Sequence, residues 1–150
     1  ASEKTPSMTI AKSPFKIGRA EVVQQGKNVT IVACGPLLYE ALVAAQMLTR
    51  RHISAEVINC HTIKPLDVRT LLASFKKTRA VVTVEEHQIT GGLGGAISEF
   101  AGQNFPVPIE RVGMRDIFGE SGEADELLVK YHMKARDVAR AVQKVLKRKK

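Results

Sequence analysis

The sequence of 150 residues predicts a single α/β domain, built on a mainly parallel sheet with helices on both faces. Two observations lead there. Short β-branched apolar runs recur at Val29-Thr-Ile-Val-Ala-Cys34, Ala55-Glu-Val-Ile-Asn-Cys60 and Ala80-Val-Val-Thr-Val84, and such runs read as buried strands. Segments with apolar residues at helical spacing lie between them. No internal repeat breaks this alternation.

Each element has its own signal. Residues 1–14 are polar, contain Pro6 and Pro14, and read as a linker or an expression remnant, leaving the domain to residues 15–150. Ile17 to Val23 is a candidate first strand, and residues 24–28 are turn-like. After the run ending at Cys34 comes Gly35-Pro36, and proline suits a first helical turn. Leu38, Ala41, Leu42, Ala45 and Leu48 then repeat as one helical face. Asp67 has the side chain of an N-cap for a second helix. Gly91-Gly-Leu-Gly-Gly95 opens a third, with Leu93, Ala96, Ile97, Phe100 and Ala101 on its face. Pro106 and Pro108 restart the chain as extended, giving a fifth strand near Ile109 to Val112. Residues 123–131 form a short helix, and a last helix carries Val138, Ala141, Val142, Val145 and Leu146 on one side.

Charge and composition narrow the function. The chain is +8 overall, but residues 1–19 hold +3 and residues 144–150 hold +5, leaving residues 20–143 with no net charge. A nucleic-acid module carries a basic face on the folded domain itself, so nucleic acid is not the expected partner. The terminal cations also suit a helix C-terminus. No apolar run approaches the roughly 18 residues that span a membrane. Cys34 and Cys60 each end an apolar run and read as small buried residues, not a disulfide framework or metal site. Reduced thiols and no export signal point to the cytoplasm.

Ligand sites in parallel α/β sheets lie beyond the carboxyl ends of the strands. Three groups fall there. Glu85-Glu86-His87 joins carboxylates to a histidine, and His61 follows what reads as a neighbouring strand; His61, Glu86 and His87 are the candidate acid–base set. Loop capping or hydrogen bonding across an interface is the favoured reading of these residues. Gly92 and Gly94 lie at a helix start, where bare N–H groups hold anions, although the run matches neither a dinucleotide fingerprint nor a P-loop. Close packing of that helix on the sheet is the competing reading. Residues 113–122 carry Arg115 and an exposed-looking Phe118, and suit an interface or a substrate contact; Ser121 there is also a candidate helix cap.

Taken together, Ile17-Gly-Arg-Ala-Glu-Val-Val23, Val29 to Gly35, Glu40-Ala-Leu42, Thr62-Ile-Lys-Pro-Leu-Asp67, Thr83-Val-Glu-Glu-His87, Gly91-Gly-Leu-Gly94 and Phe118-Gly-Glu-Ser-Gly122 resemble, in order and spacing, the C-terminal domain of the transketolase superfamily. The resemblance covers residues 15–147. It is greatest to transketolases split into two subunits, with deoxyxylulose-phosphate synthase second and 2-oxo acid dehydrogenase β subunits also related. It implies a three-layer α/β/α fold with a five-stranded mixed sheet whose first strand is antiparallel. It implies a complete enzyme that transfers a two-carbon ketol unit between sugar phosphates with thiamine diphosphate and magnesium, held by other domains. On that reading this chain binds no cofactor, contributes no catalytic residue and is inactive alone. It supports a homo-oligomer and packs on cofactor-binding domains or a subunit of the same enzyme. Lys134 departs from the family where a Ser- or Thr-like cap is expected before the last helix. Two alternatives stand beside this: a self-contained catalyst using His61, Glu86 and His87, and a stand-alone phosphate-binding module at the Gly91 to Gly95 helix start.

Overall fold

Strand β2 (Val29–Ala33) is buried over its whole length, with Val29, Ile31 and Ala33 facing one side and Val32 the other. Both sides therefore need a cover of helices. In the computed structural model, which describes residues 6–8, 13 and 15–149, that cover is complete. The other strands are β1 (Glu21–Gln24), β3 (Ala55–Asn59), β4 (Val81–Gln88) and β5 (Ile109–Met114). They form one sheet in the order β1-β3-β2-β4-β5. Strands β2 to β5 are parallel, and β1 runs antiparallel along β3, as the family resemblance implies.

Helices α1 (Leu37–Thr49) and α5 (Ala135–Lys147) cover one face, where Leu37, Leu48, Val138, Val142 and Val145 pack on β2 to β4. Helices α2 (Val68–Thr78) and α3 (Leu93–Asn104) cover the other, where Leu71, Phe75, Ile97 and Phe100 surround Val32, Ile58 and Val81. The rings of Phe75 and Phe100 lie 5.9 Å apart. The short helix α4 (Ala124–Lys130) joins β5 to α5.

Two element starts differ from the sequence reading, and the last helix starts where expected but is capped from elsewhere. The first strand spans Glu21–Gln24 and not Ile17 to Val23, because Arg19 N–H closes a turn onto the Lys16 carbonyl and Ala20 N–H is taken by the Asp67 carboxylate. The N-cap of α4 is Glu123, not Ser121. Helix α5 begins after Lys134, whose N–H is accepted by Asp137, while Glu40 of α1 accepts the next N–H, from Ala135, at 2.6 Å. A cap missing from the local sequence is thus supplied 95 residues away. The linker reading of residues 1–14 lies mostly outside the described residues.

Candidate functional site

Helix α1 leaves β2 on one face of the sheet and α3 leaves β4 on the other. The crevice between the carboxyl ends of β2 and β4 is therefore the topological switch point, where ligands of such folds usually sit. Here it holds the chain's own Glu85. Its side chain follows Thr83 along one face of β4 and is 1% exposed. Its two oxygens accept the N–H groups of Leu93 and Gly94, each at 2.7 Å. The start of α3 is an anion site, as the sequence suggests, but its anion is internal. A Cβ on Gly92 would collide with this carboxylate, and one on Gly94 would lie 3.1 Å from it and 3.0 Å from Thr83 Oγ1. Gly92 and Gly94 thus make room for Glu85. This corrects the reading of residues 91–95 as an open phosphate site.

The remaining candidates are divided. The strand pattern places β2 between β3 and β4, so His61 does not follow a neighbour of the strand carrying Glu86 and His87. The His61 ring stacks 4.4 Å from Phe15 and its Nδ1 lies 3.1 Å from Thr62 Oγ1. His87 Nδ1 lies 3.2 Å from the Gln88 carbonyl next to it. Glu86 and His87 are exposed on β4, which runs four residues beyond the predicted strand end at Val84. No contact joins these three side chains among the described residues, so they form no acid–base constellation.

Arg115 and Phe118 do come beside β4. Between Val84 and Gln88 the pairing with β5 slips, with three residues of β4 opposite Gly113. A Cβ on Gly113 would approach the His87 carbonyl to 2.8 Å, so glycine is what lets the two backbones close there. Gln88 then clamps the following loop: its amide donates to the Ile117 carbonyl and accepts Asp116 N–H, both at 2.8 Å. Phe118 is held 99% exposed beside the half-exposed Ile117. Motif reading missed Gln88 and the role of Glu85. Their signal is position: Glu85 points inward by strand alternation, and Gln88 is a long amide at the strand end.

Both thiols lie under this edge. Burial, then the Glu85 charge, pushes Cys34 up to about 11. Burial, then Cys34 and Asp67, pushes Cys60 up to about 12. Neither is poised as a nucleophile at neutral pH.

The comparisons with known proteins bear on this geometry. A family model described as transketolase, C-terminal domain, matches residues 18–138. The chain belongs to the transketolase C-terminal domain family. It is 47% identical over 135 residues to a 6-deoxy-6-sulfo-D-fructose transketolase subunit from Clostridium sp. strain MSTE9, covering 90% of this chain and 42% of that protein. It is 39% identical over 123 residues to 1-deoxy-D-xylulose-5-phosphate synthase of Halothermothrix orenii, covering 81% of this chain and 19% of that one. A solved structure described as a split gene transketolase, inactive beta4 tetramer, superposes with a TM-score of 0.93 at 44% identity, over 97% of this chain and 48% of that chain. Transketolase from Leishmania mexicana shares the fold, with a TM-score of 0.67 at 23% identity over 87% of this chain and 18% of its own. The chain thus spans less than half the length of each of these relatives.

As a transketolase C-terminal domain, the chain offers poor ligands to thiamine diphosphate and its metal. Among the described residues no group of three or more His, Cys, Asp or Glu side chains is arranged around a metal position. The N–H pair at the start of α3 is taken by Glu85.

Proposed function

We propose that this domain is the C-terminal, non-catalytic module of a split, thiamine-diphosphate-dependent transketolase, packing on the cofactor-binding subunit and supporting subunit assembly. The observation that carries the reading is the likeness to a transketolase subunit and to a split gene transketolase over nearly the whole chain. The site agrees in kind. The switch-point crevice is filled from within, while an ordered loop presents Phe118 and Ile117 outward. Exposed aromatics on a fixed loop are the usual anchors of protein interfaces. On this reading the complete enzyme transfers a ketol unit between sugar phosphates, as a homo-oligomer in the cytoplasm.

Calorimetric titration of thiamine diphosphate with magnesium into the isolated chain is the first test. No heat of binding is expected, and saturable binding would overturn the module reading. The second is mixing with the cofactor-binding subunit: a stable complex and ketol transfer are expected from the mixture and not from either chain alone. The likeness to 1-deoxy-D-xylulose-5-phosphate synthase favours one rival parent, which the same mixture distinguishes by forming 1-deoxy-D-xylulose 5-phosphate in place of ketol transfer.

A further inference from the structure

Strand β5 ends the sheet, so one of its edges faces no other strand. Helix α5 and the turn before it run along that edge, and a cavity of about 350 Å³ opens between them. Its wall carries Arg111, Arg115, Arg140 and Lys144 against Glu110 and Asp137. Both carboxylates already have partners. Glu110 accepts Lys144 at 2.9 Å and Arg148 at 2.5 Å. Asp137 accepts the Lys134 N–H at 3.3 Å and lies 3.4 Å from Arg140. The Arg111 guanidinium is anchored on the Ile89 carbonyl at 3.0 Å.

The other cations have donors to spare. Arg115 is exposed, with no hydrogen bond or ion pair among the described residues. Arg140 holds Asp137 by one long contact, and the side chains of Arg140 and Lys144 are mostly exposed. Tyr131 lines the same cavity, and its buried hydroxyl has no partner among the described residues. The groove wall thus has more cations than carboxylates. Guanidinium and ammonium groups with free N–H bonds match the oxygens of a phosphate. The volume is that of a small-ligand site.

We propose that the groove between β5 and α5 binds a small phosphate-bearing anion through Arg115, Arg140 and Lys144. This site is distinct from the start of α3, whose anion is Glu85, and it does not depend on the assembly role. Inorganic phosphate and pyrophosphate are the probes, titrated into the full 150-residue chain at ionic strength held constant with sodium chloride. Binding is followed by amide NMR shifts. Saturable shifts along β5 and the α5 start are expected, with Kd of about 1 mM or tighter and pyrophosphate the stronger ligand. Arg115→Gln should weaken binding about fivefold or more, and Arg140→Gln likewise. Arg115 has no partner to lose, so that variant tests binding without disturbing the fold. Arg51→Gln, in an exposed position beyond α1, should leave Kd unchanged. Shifts that follow chloride equally, binding that survives the Arg115→Gln and Arg140→Gln double change, or equal loss in Arg51→Gln would each overturn the proposal.

Discussion

Removing the Glu85 side chain leaves the N–H groups of Leu93 and Gly94 buried without their acceptor. Glu85→Ala should therefore cost about 2–4 kcal/mol, measured by urea denaturation. Gly92→Ala pushes against the same carboxylate and should cost about 1–3 kcal/mol. Asp67 makes a pH prediction. Burial opposes its ionisation, but the Ala20 N–H, the Thr70 hydroxyl and N–H, and Arg19 outweigh it, and its carboxyl is held below the usual range. The folded value is the lower one, so its stabilisation is complete above the unfolded value near about 4 and is lost as pH falls through the folded value. Asn keeps a capping oxygen but no charge. The stability gap between wild type and Asp67→Asn should be widest at neutral pH and close below about pH 4. A gap unchanged at low pH would show that the charge contributes nothing.

Helix α5 shows what an element gains from its neighbours. Its sequence supplies a strongly apolar face, yet Lys134 at its start gives no side-chain acceptor. Glu40 fills that role from α1, itself gripped by Lys134 at 2.7 Å, and Lys134 in turn reaches Asp125 of α4. One carboxylate thus ties two helices that the chain joins only after 95 residues. Glu40→Ala should lower stability by about 1–3 kcal/mol, read as a drop in Tm. Lys134→Ser, which restores a local cap but breaks the bridge, should cost less than Glu40→Ala.

Across the molecule, the loop after β5 presents Phe118 and Ile117 outward. Phe118 touches little of its own domain, so Phe118→Ala should leave the stability of the isolated chain within about 0.5 kcal/mol. The same change should weaken the complex with the cofactor-binding subunit by about tenfold or more, as measured by sedimentation. Unchanged association would remove Phe118 from the interface. Much of this molecule was legible in its residues. Strand runs, helix faces, the Asp67 cap and the burial of Cys60 all follow from local patterning, whereas Cys34 is only half-buried. The candidate site was less legible. Glu86 and His87 look chemical in sequence but stand exposed and do not meet His61, whereas the neighbouring Glu85 has the built environment.

Local residue patterns set the alternation of strands and helices and, through ordered motifs, the family. Both are carried by residues close in the chain, where periodicity and capping act. Which residues meet is fixed by the folded topology. The strand order sets β2 between His61 and His87, folds Glu85 onto the start of α3, and brings Glu40 to the start of α5. Those encounters depend on crossover topology, which places residues that are distant in sequence side by side and which no local pattern encodes.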